Sequence, residues 1–294
     1  ASAAENTVIA TVTVGTNPEG MAFDSANNRM YVANQDDDTV SVIDTSDYSI
    51  LATIALLATG GDSPGAIAFD SANDRMYVAN SDTDAVSVID TSDYSVIDAN
   101  GGAAGSAIIV GDAPLDIAFD STNDRMYVPN YFADTVSVIN TTTNAVDATI
   151  AVGVGPRGIA FDSANDRMYV ANWTSDNVSV IATATNTVIA TIAVGEEPYG
   201  MAFDSTNNRV YVANYVDDNV SVIATASNTV TDTITVGDGP SGIAFDSANN
   251  RMYVTNYLAD TVSVIDTATN AVTATITVGN GPEGIEFDSA NNRM

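Results

Sequence analysis

One dipeptide, "FD", recurs along the chain at nearly constant spacing. Its seven copies begin at Phe23, Phe69, Phe119, Phe161, Phe203, Phe245 and Phe287. The intervals are 46, 50, 42, 42, 42 and 42 residues, so the base period is 42. A period of about 40 to 45 residues that contains several short β-type runs is typical of a β-propeller blade. The chain is therefore expected to be built from repeated copies of one structural unit.

Each repeat divides into four predicted strands, which we call a to d from the inside of the ring outward. In residues 158–194 they read "GIAFD", "RMYVAN", "NVSVI" and "NTVIATIAV". Val, Ile, Tyr, Phe and Thr dominate these runs, as is typical of strands. Asp, Ser and Asn in the segments between them predict tight turns. The Ser in every "VSV" is interpreted as a small residue that lets neighbouring sheets approach closely.

Counting the strands predicts an all-β fold, a seven-bladed β-propeller of four-stranded antiparallel blades. We expect a single domain over residues 1–294, with blades 1 to 6 within 16–281 and a seventh blade split between 1–15 and 282–294. The N-terminal outer strand is expected to close the ring with the C-terminal inner strand. Insertions that lengthen the first two intervals are predicted near residues 55–62 and 98–107.

The seventh predicted blade is incomplete, because it lacks 12 residues equivalent to Tyr169–Val180, most of strand b and all of strand c. Three explanations are open. The sequence is part of a longer protein whose further residues complete the blade. Alternatively, a partner chain fills the gap by strand addition, since unpaired strand edges are templates for pairing. In the third case the blade simply stays open.

Composition excludes several classes of function. The chain has no Cys and no His, and its basic residues are eight Arg against 38 Asp and Glu, a net charge of -30. Nucleic acids and anionic lipids need basic side chains, so neither is an expected partner. Without His or Cys, neither a Ser-His-Asp triad nor a His-ligated metal is possible. No stretch of 18 apolar residues suggests a membrane span. We therefore predict a protein that is not an enzyme and has no cofactor.

The repeat resembles a known family. "RMYVAN" and "DTVSVIDTATNAVTATITVGNGPEGI" are similar to the YVTN-type β-propeller repeat of archaeal and bacterial surface-layer and other cell-surface proteins, and "MYVTN" itself stands at Met252–Asn256. The resemblance covers essentially the whole chain. It implies a non-enzymatic, extracellular structural or interaction module, part of a cell-surface layer, sheath or appendage. Its expected partners are other proteins or copies of itself.

A second hypothesis, a glycan- or peptide-binding module, rests on residues that vary between blades. The position after the Asn that opens the b–c loop is aromatic in four adjacent blades, and two further aromatic residues and the only Arg outside the hairpins lie on the same predicted face. These candidates are Tyr131, Phe132, Trp173, Tyr199, Tyr215, Tyr257 and Arg157. Such rings stack on sugars or anchor protein partners. Alternatively, each ring packs on the neighbouring Gly-Pro loop and only closes its blade.

Carboxylates are the remaining candidates. Asp36, Asp37 and Asp38 form the best loop for Ca²⁺, which binds through several oxygens. Because one Asp recurs in every b–c loop, backbone capping is the competing explanation. Asp24 and Arg29, which also recur, are interpreted as fixing their hairpin, where they could pair.

A hydrolase with paired carboxylates is the third and least favoured hypothesis. The Asp positions repeat blade by blade, whereas an active site should be asymmetric. The asymmetric carboxylates are Asp116, Glu196, Glu197 and Glu286, which fall in or just after different d–a loops. We expect Glu286 to approach the central channel, and assign it no role.

Overall fold

Six antiparallel sheets form the protein. The computed structural model describes residues 6–56, 62–97 and 107–294, and the predicted insertions near 55–62 and 98–107 lie mostly outside these ranges. Five sheets have four strands each, and in the second sheet the outer position is shared by two short segments that both pair with the third strand. The first strands of neighbouring sheets contact each other, and this arrangement is a β-propeller.

The strands follow in chain order from blade to blade. Blades 1 and 2 contain β1 (Pro18–Asp24), β2 (Arg29–Asn34), β3 (Thr39–Asp44), β4 (Ile50–Ala55), β5 (Pro64–Asp70), β6 (Arg75–Asn80), β7 (Ala85–Asp90), β8 (Val96–Ile97) and β9 (Ile108–Ile109). Blades 3 and 4 contain β10 (Ala118–Asp120), β11 (Arg125–Asn130), β12 (Thr135–Asn140), β13 (Ala145–Ala151), β14 (Pro156–Asp162), β15 (Arg167–Asn172), β16 (Asn177–Ala182) and β17 (Thr187–Ala193). Blades 5 and 6 contain β18 (Pro198–Asp204), β19 (Arg209–Asn214), β20 (Asn219–Ala224), β21 (Thr229–Thr235), β22 (Pro240–Asp246), β23 (Arg251–Asn256), β24 (Thr261–Asp266) and β25 (Ala271–Thr277). Two b–c loops contain a 3₁₀ turn, Gln35–Asp37 and Trp173–Ser175.

The prediction of four-stranded antiparallel blades is confirmed, but the prediction of seven blades is wrong. Six blades form. Residues 6–14 make no strand, and beyond Thr277 the structure has one isolated bridge, between Asp288 and Arg293. Strand d pairs with c, and strand a with b, in every blade. Residues 6–14 and the segment ending at Met294 have the sequences of d and a, but no b or c strand of the described residues lies beside them, so no β-ladder forms there.

Both terminal segments nevertheless contact the ring between blade 6 and blade 1. The Tyr253 hydroxyl lies 3.3 Å from the Asn6 amide oxygen. On the other side, Arg293 Nη1 donates to the Thr45 carbonyl at 3.3 Å. These contacts reproduce those that link one blade to the next elsewhere in the ring.

The hydrophobic core lies between adjacent sheets. Tyr127, Val136 and Val138 of blade 3 pack against Met168 and Val170 of blade 4 in one cluster, and similar clusters join the other neighbouring blades. Because each sheet of blades 2 to 5 is covered by a neighbouring sheet on both sides, both faces of its b and c strands are apolar. The blades therefore depend on one another for burial.

On the face of the disc that carries the b–c and d–a loops, two recurrent hydrogen bonds fix the loops. The Asn that ends each b strand donates its amide to the Ser of the c strand, as in Asn214 to Ser221 at 2.9 Å. The Ser is thus a hydrogen-bonding residue as well as a small one. The Asp that ends each b–c loop accepts from the next d–a loop, as Asp218 does from Gly239 N at 2.9 Å.

On the opposite face the hairpin residues link one blade to the next. Asp24 accepts from the N–H groups of Ala26 and Asn27 at 3.0 Å, so it caps its own turn as interpreted. Arg29 does not pair across that hairpin; its Nη1 donates to the Thr91 carbonyl of blade 2 at 3.0 Å. Arginine in this position is therefore an inter-blade contact.

Glycine lets the inner strands approach one another around the central channel. A Cβ on Gly158 would lie 1.9 Å from the carbonyl oxygen of Tyr199, and one on Gly242 would lie 2.1 Å from that of Glu283. No side chain fits at such distances, so glycine sets the width of the ring at these points.

Among the described residues, no helix has the length and apolar character needed to cross a bilayer.

Candidate binding site at the channel mouth

A cavity of about 380 Å³ occupies the centre of the ring of inner strands. Six glycines and nine apolar residues, such as Ile159 and Met201, line it. The polar side chains around it come from the beginnings of the inner strands, from the residues just before one of them, from one b–c loop and from the C-terminal segment. They are Glu19, Gln35, Asp116, Arg157, Tyr199, Glu283 and Glu286. The blades are nearly identical, but the polar residues that they contribute to the cavity differ from one blade to the next.

Four of the predicted residues, Arg157, Trp173, Tyr199 and Tyr215, form one cluster at this cavity, which we call the aromatic–arginine cluster. The Arg157 guanidinium carbon lies 3.7 Å from the centroid of the Tyr199 ring and 5.2 Å from that of Trp173. The Trp173 ring centroid is 5.5 Å from Tyr199 and 5.6 Å from Tyr215. Arg157 Nη2 also donates to the Tyr199 hydroxyl. Because cations are attracted to aromatic faces, these contacts hold the guanidinium in place.

Backbone hydrogen bonds between loops bring these rings together. Trp173 N donates to the Gly155 carbonyl at 2.8 Å and Tyr215 N donates to the Glu197 carbonyl at 3.1 Å. Each b–c loop is thereby tied to the d–a loop that enters its own blade. The start of the next inner strand then carries Arg157 or Tyr199 toward the rings.

The other three predicted aromatic residues are outside this cluster. Tyr131 and Phe132 pack edge to face on each other, with centroids 5.0 Å apart, and the Phe132 side chain is 72% exposed. The Tyr131 ring also packs on Gly155, and the Tyr257 ring on Gly281. For Tyr131 and Tyr257 the geometry matches the alternative explanation, in which a ring covers the adjacent Gly-Pro loop.

Four carboxylates line the cavity, and two of them are residues that the sequence analysis did not select. Burial and, to a smaller extent, the neighbouring Glu283 raise the pKa of Glu19 to about 7, against the lowering effect of Arg157. Burial also raises the pKa of Glu283, again against the effect of Arg157. No ion pair joins Arg157 directly to either residue in the described part of the chain. At the mouth, acidic groups therefore outnumber basic ones, since Arg157 is one cation among several carboxylates.

Asp116 and Glu286 lie on the same channel. Burial raises the pKa of each to about 7. Asp116 accepts from Ile117 N at 2.8 Å and from Ile159 N at 2.9 Å, which partly offsets its loss of water. Glu286 lines the cavity, as its place on an inner strand led us to expect.

A pattern in the sequence marks Glu19 and Glu283. Inner strands begin with Pro, one variable residue and, in most repeats, Gly. The variable residues are Glu19, Gly65, Leu115, Arg157, Tyr199, Ser241 and Glu283. Comparing this position between repeats, as was done for the b–c loops, would have selected both glutamates. Asp116 stands where most repeats have the Gly.

The other predicted carboxylates lie away from the cavity. Glu196 is exposed, and the backbone N–H groups of Glu196 and Glu197 donate to Asp217 and Asp176, each at 3.0 Å.

In the Asp36, Asp37 and Asp38 loop, two carboxylates accept hydrogen bonds from the backbone, and Asp36 Oδ1 accepts from Asn17 Nδ2 at 3.5 Å. Asp37 Oδ2 accepts from Thr16 N at 2.6 Å, and Asp38 Oδ1 accepts from Asp62 N at 2.7 Å and Ser63 N at 3.0 Å. Within the described ranges, no three Asp, Glu, His or Cys residues come close enough together to hold a metal ion. The Asp38 contacts are those of a backbone cap.

Comparison with known proteins agrees with this fold. A family model described as YNCE-like β-propeller matches residues 200–291. The chain is a β-propeller repeat protein. No curated protein matches it. One similar solved structure is the hydrazine synthase of Kuenenia stuttgartiensis, with a TM-score of 0.80 and 18% identity over 95% of this chain and 91% of that one. Another is a streptogramin B lyase, with a TM-score of 0.79 and 12% identity over 94% and 89%. At these identities the likeness shows the fold alone.

Proposed function

We propose that this β-propeller is a non-catalytic interaction module that binds a partner at the channel mouth through the aromatic–arginine cluster. The observation that carries the proposal is the convergence of Arg157, Trp173, Tyr199 and Tyr215 beside a cavity of about 380 Å³. Pockets of about 300–1,000 Å³ with a few convergent polar groups are typical of ligand sites. Tyr, Trp and Arg are also the residues that most often dominate binding energy at interfaces. Propellers often mediate protein interactions.

Binding to glycan and peptide arrays tests this proposal. The Trp173→Ala and Tyr215→Ala variants should lose binding at least about tenfold, since stacking and burial of a large ring are removed. Phe132→Ala is the matched control, because it deletes an exposed ring on the same face outside the cluster. Equal binding by all three variants and the wild type would contradict the proposal.

The absence of catalysis is part of the proposal. It is supported by the lack of His and Cys in the sequence. We expect no turnover on panels of glycosides and esters. Turnover that Glu286→Gln or Asp116→Asn abolishes would contradict it.

A structural role at a cell surface is the second candidate function. It is supported by the resemblance to the YVTN-type repeat, by the net charge of -30 and by the near-identity of the blades. On this proposal the protein is extracellular and belongs to a layer, sheath or appendage. The intact mass of the natural protein and electron microscopy of its assembly state test it, and a dispersed monomer in native material would contradict it.

A further inference from the structure

We propose that the channel mouth binds an arginine or lysine side chain of a peptide partner, with the cationic group held between the aromatic–arginine cluster and the carboxylates of Glu19 and Glu283. This inference rests on the proposed function, because it assigns a ligand class to the same site. Two independent features support it, the shape and lining of the cavity and the guanidinium that the cluster already holds.

The cavity lining selects a cation over an anion. Glu19, Asp116 and Glu283 all interact electrostatically with Arg157, so the single arginine is shared among three carboxylates. Glu286 adds a fourth carboxylate to the lining. An anionic ligand would meet excess negative charge, whereas a cation would reduce it.

The spacing of the carboxylates selects an organic cation over a metal ion. No three carboxylates of the described residues converge closely enough to be ligands of one metal ion. A guanidinium or ammonium group, by contrast, needs only one or two carboxylates and an aromatic face. Arg157 already occupies the Tyr199 face, with its guanidinium carbon 3.7 Å from the ring centroid, so the ligand cation is expected on the carboxylate side of the cavity, next to Glu19 and Glu283.

Binding of a cation should also release protons. The pKa of Glu19 is raised to about 7, so near neutral pH this carboxyl is partly protonated. The pKa of Glu283 is raised in the same direction. A cation beside them favours the ionised form and lowers both pKa values. Affinity should therefore increase as the pH rises from about 5.5 to about 8.

The fluorescence of Trp173, the only tryptophan of the chain, reports directly on this site. The probe is the capped peptide Gly-Gly-Arg-Gly-Gly, and its neutral control has citrulline, the uncharged isostere of arginine, in the central position. We expect the arginine peptide to bind at least about tenfold more tightly than the citrulline peptide. Calorimetry in buffers of different ionisation enthalpy should show proton release.

Substitutions of the two glutamates test whether they bind the cationic group. Glu19→Gln with Glu283→Gln should reduce affinity for the arginine peptide at least about tenfold and reduce proton release, of which Asp116 and Glu286 supply the remainder. Glu196→Gln is the matched control, since it makes the same change at an exposed glutamate outside the cavity. Thermal melts verify that all variants fold.

The contrary outcomes are separable. Equal binding of the arginine and citrulline peptides, or full affinity in the double variant, would overturn the cation inference. If binding of a neutral ligand is still lost in the Trp173→Ala variant, the proposed function stands and only the cation inference fails. Tighter binding of free spermidine than of the peptide would assign the site to a small polyamine and overturn the peptide assignment. If no array ligand requires Trp173 or Tyr215, the proposed function itself fails.

Discussion

At the scale of single residues, Tyr31 departs from the repeat. In later blades the equivalent tyrosine donates to an Asn of the following blade, as Tyr77 does to Asn144 Oδ1 at 2.7 Å. Blade 2 has Tyr94 at the position of that Asn, and its ring stacks on Arg29. The Tyr31 hydroxyl is consequently buried without a hydrogen-bond partner among the described residues.

Tyr94→Asn should therefore stabilise the protein. An unpaired buried hydroxyl costs about 1–3 kcal/mol, and Asn also relieves the left-handed backbone of Tyr94. Losing the half-buried Tyr94 ring, which stacks on Arg29 and packs on the core of blades 1 and 2, costs about 1–2 kcal/mol. We expect a net gain of about 1 kcal/mol in the free energy of unfolding, measured by urea titration.

Tyr48→Asn is the control for this substitution. Tyr48 and Tyr94 share the left-handed conformation, with φ of 66° and 65°, so Asn relieves both backbones equally. The segment that precedes blade 1 supplies no equivalent of Tyr31 in the described structure, so Tyr48→Asn restores no hydrogen bond. Equal stabilisation by the two substitutions would show that the backbone, and not the hydroxyl, is responsible.

At the scale of the element, the b–c loop connects two blades as well as two strands. Asp218 accepts from Gly239 N at 2.9 Å, and Asp134, Asp176 and Asp260 accept from equivalent N–H groups. The Asp218 backbone is left-handed, with φ of 52°, a conformation that Asp and Asn tolerate. One residue type thus satisfies both the turn and the neighbouring loop.

Asp218→Gly should destabilise the protein by about 1–2 kcal/mol, because it leaves the Gly239 N–H without its acceptor and adds no strain at positive φ. Asp218→Asn keeps an acceptor oxygen and should cost less than half as much. Asp238→Ala is the control, as it removes an exposed carboxylate from the neighbouring d–a loop. Urea titration measures all three, and equal losses for the Gly and Asn variants would refute this role.

At the scale of the whole molecule, the channel carboxylates make stability depend on pH. Burial raises the pKa values of Glu19, Asp116 and Glu286 to about 7 from their ordinary values of 4.5, 3.8 and 4.5. Between the unfolded and folded pKa values, the folded state binds more protons. The contribution of these protonated carboxyls to the free energy of unfolding is therefore fully present below about pH 4, and it is lost as the pH rises through 7.

Glu286→Gln should remove part of this dependence. We expect the variant to raise the melting temperature at about pH 8 by about 2–6 °C and to leave it nearly unchanged at about pH 5, where the wild-type carboxyl is protonated. Glu196→Gln, at an exposed position, should alter neither value by more than about 1 °C. Scanning fluorimetry across this range measures the effect, and a parallel shift at both pH values would contradict it.

The net charge of -30 predicts a strong effect of salt. Raising NaCl from about 0.05 M to about 1 M shortens the screening length to about 3 Å and weakens self-repulsion. We expect the melting temperature at about pH 7.5 to rise with NaCl concentration, and more steeply than at about pH 4.5, where many carboxylates are protonated. A pH-independent salt response would contradict an electrostatic cause.

The sequence predicted local features well and closure of the ring poorly. The repeat period located the four strands of blade 4 and their turns because local side-chain patterns determine them. It predicted a seventh blade because residues 6–14 resemble outer strands, but a strand requires a partner strand beside it. Trp173 and Tyr215 converge on Arg157 and Tyr199, whereas Tyr131 packs on Gly155. Glu19 and Glu283 were missed because the residue after the Pro of each inner strand was not compared across all repeats.

The aromatic–arginine cluster lies entirely on blades 4 and 5, to one side of the channel axis. Without it, a binding partner could dock on the nearly identical blades in several equivalent orientations, related by rotation about that axis. Because the cluster lies off the axis, it makes one of these orientations different from all the others. A partner bound at the channel mouth would therefore be held in one rotational orientation about the channel axis.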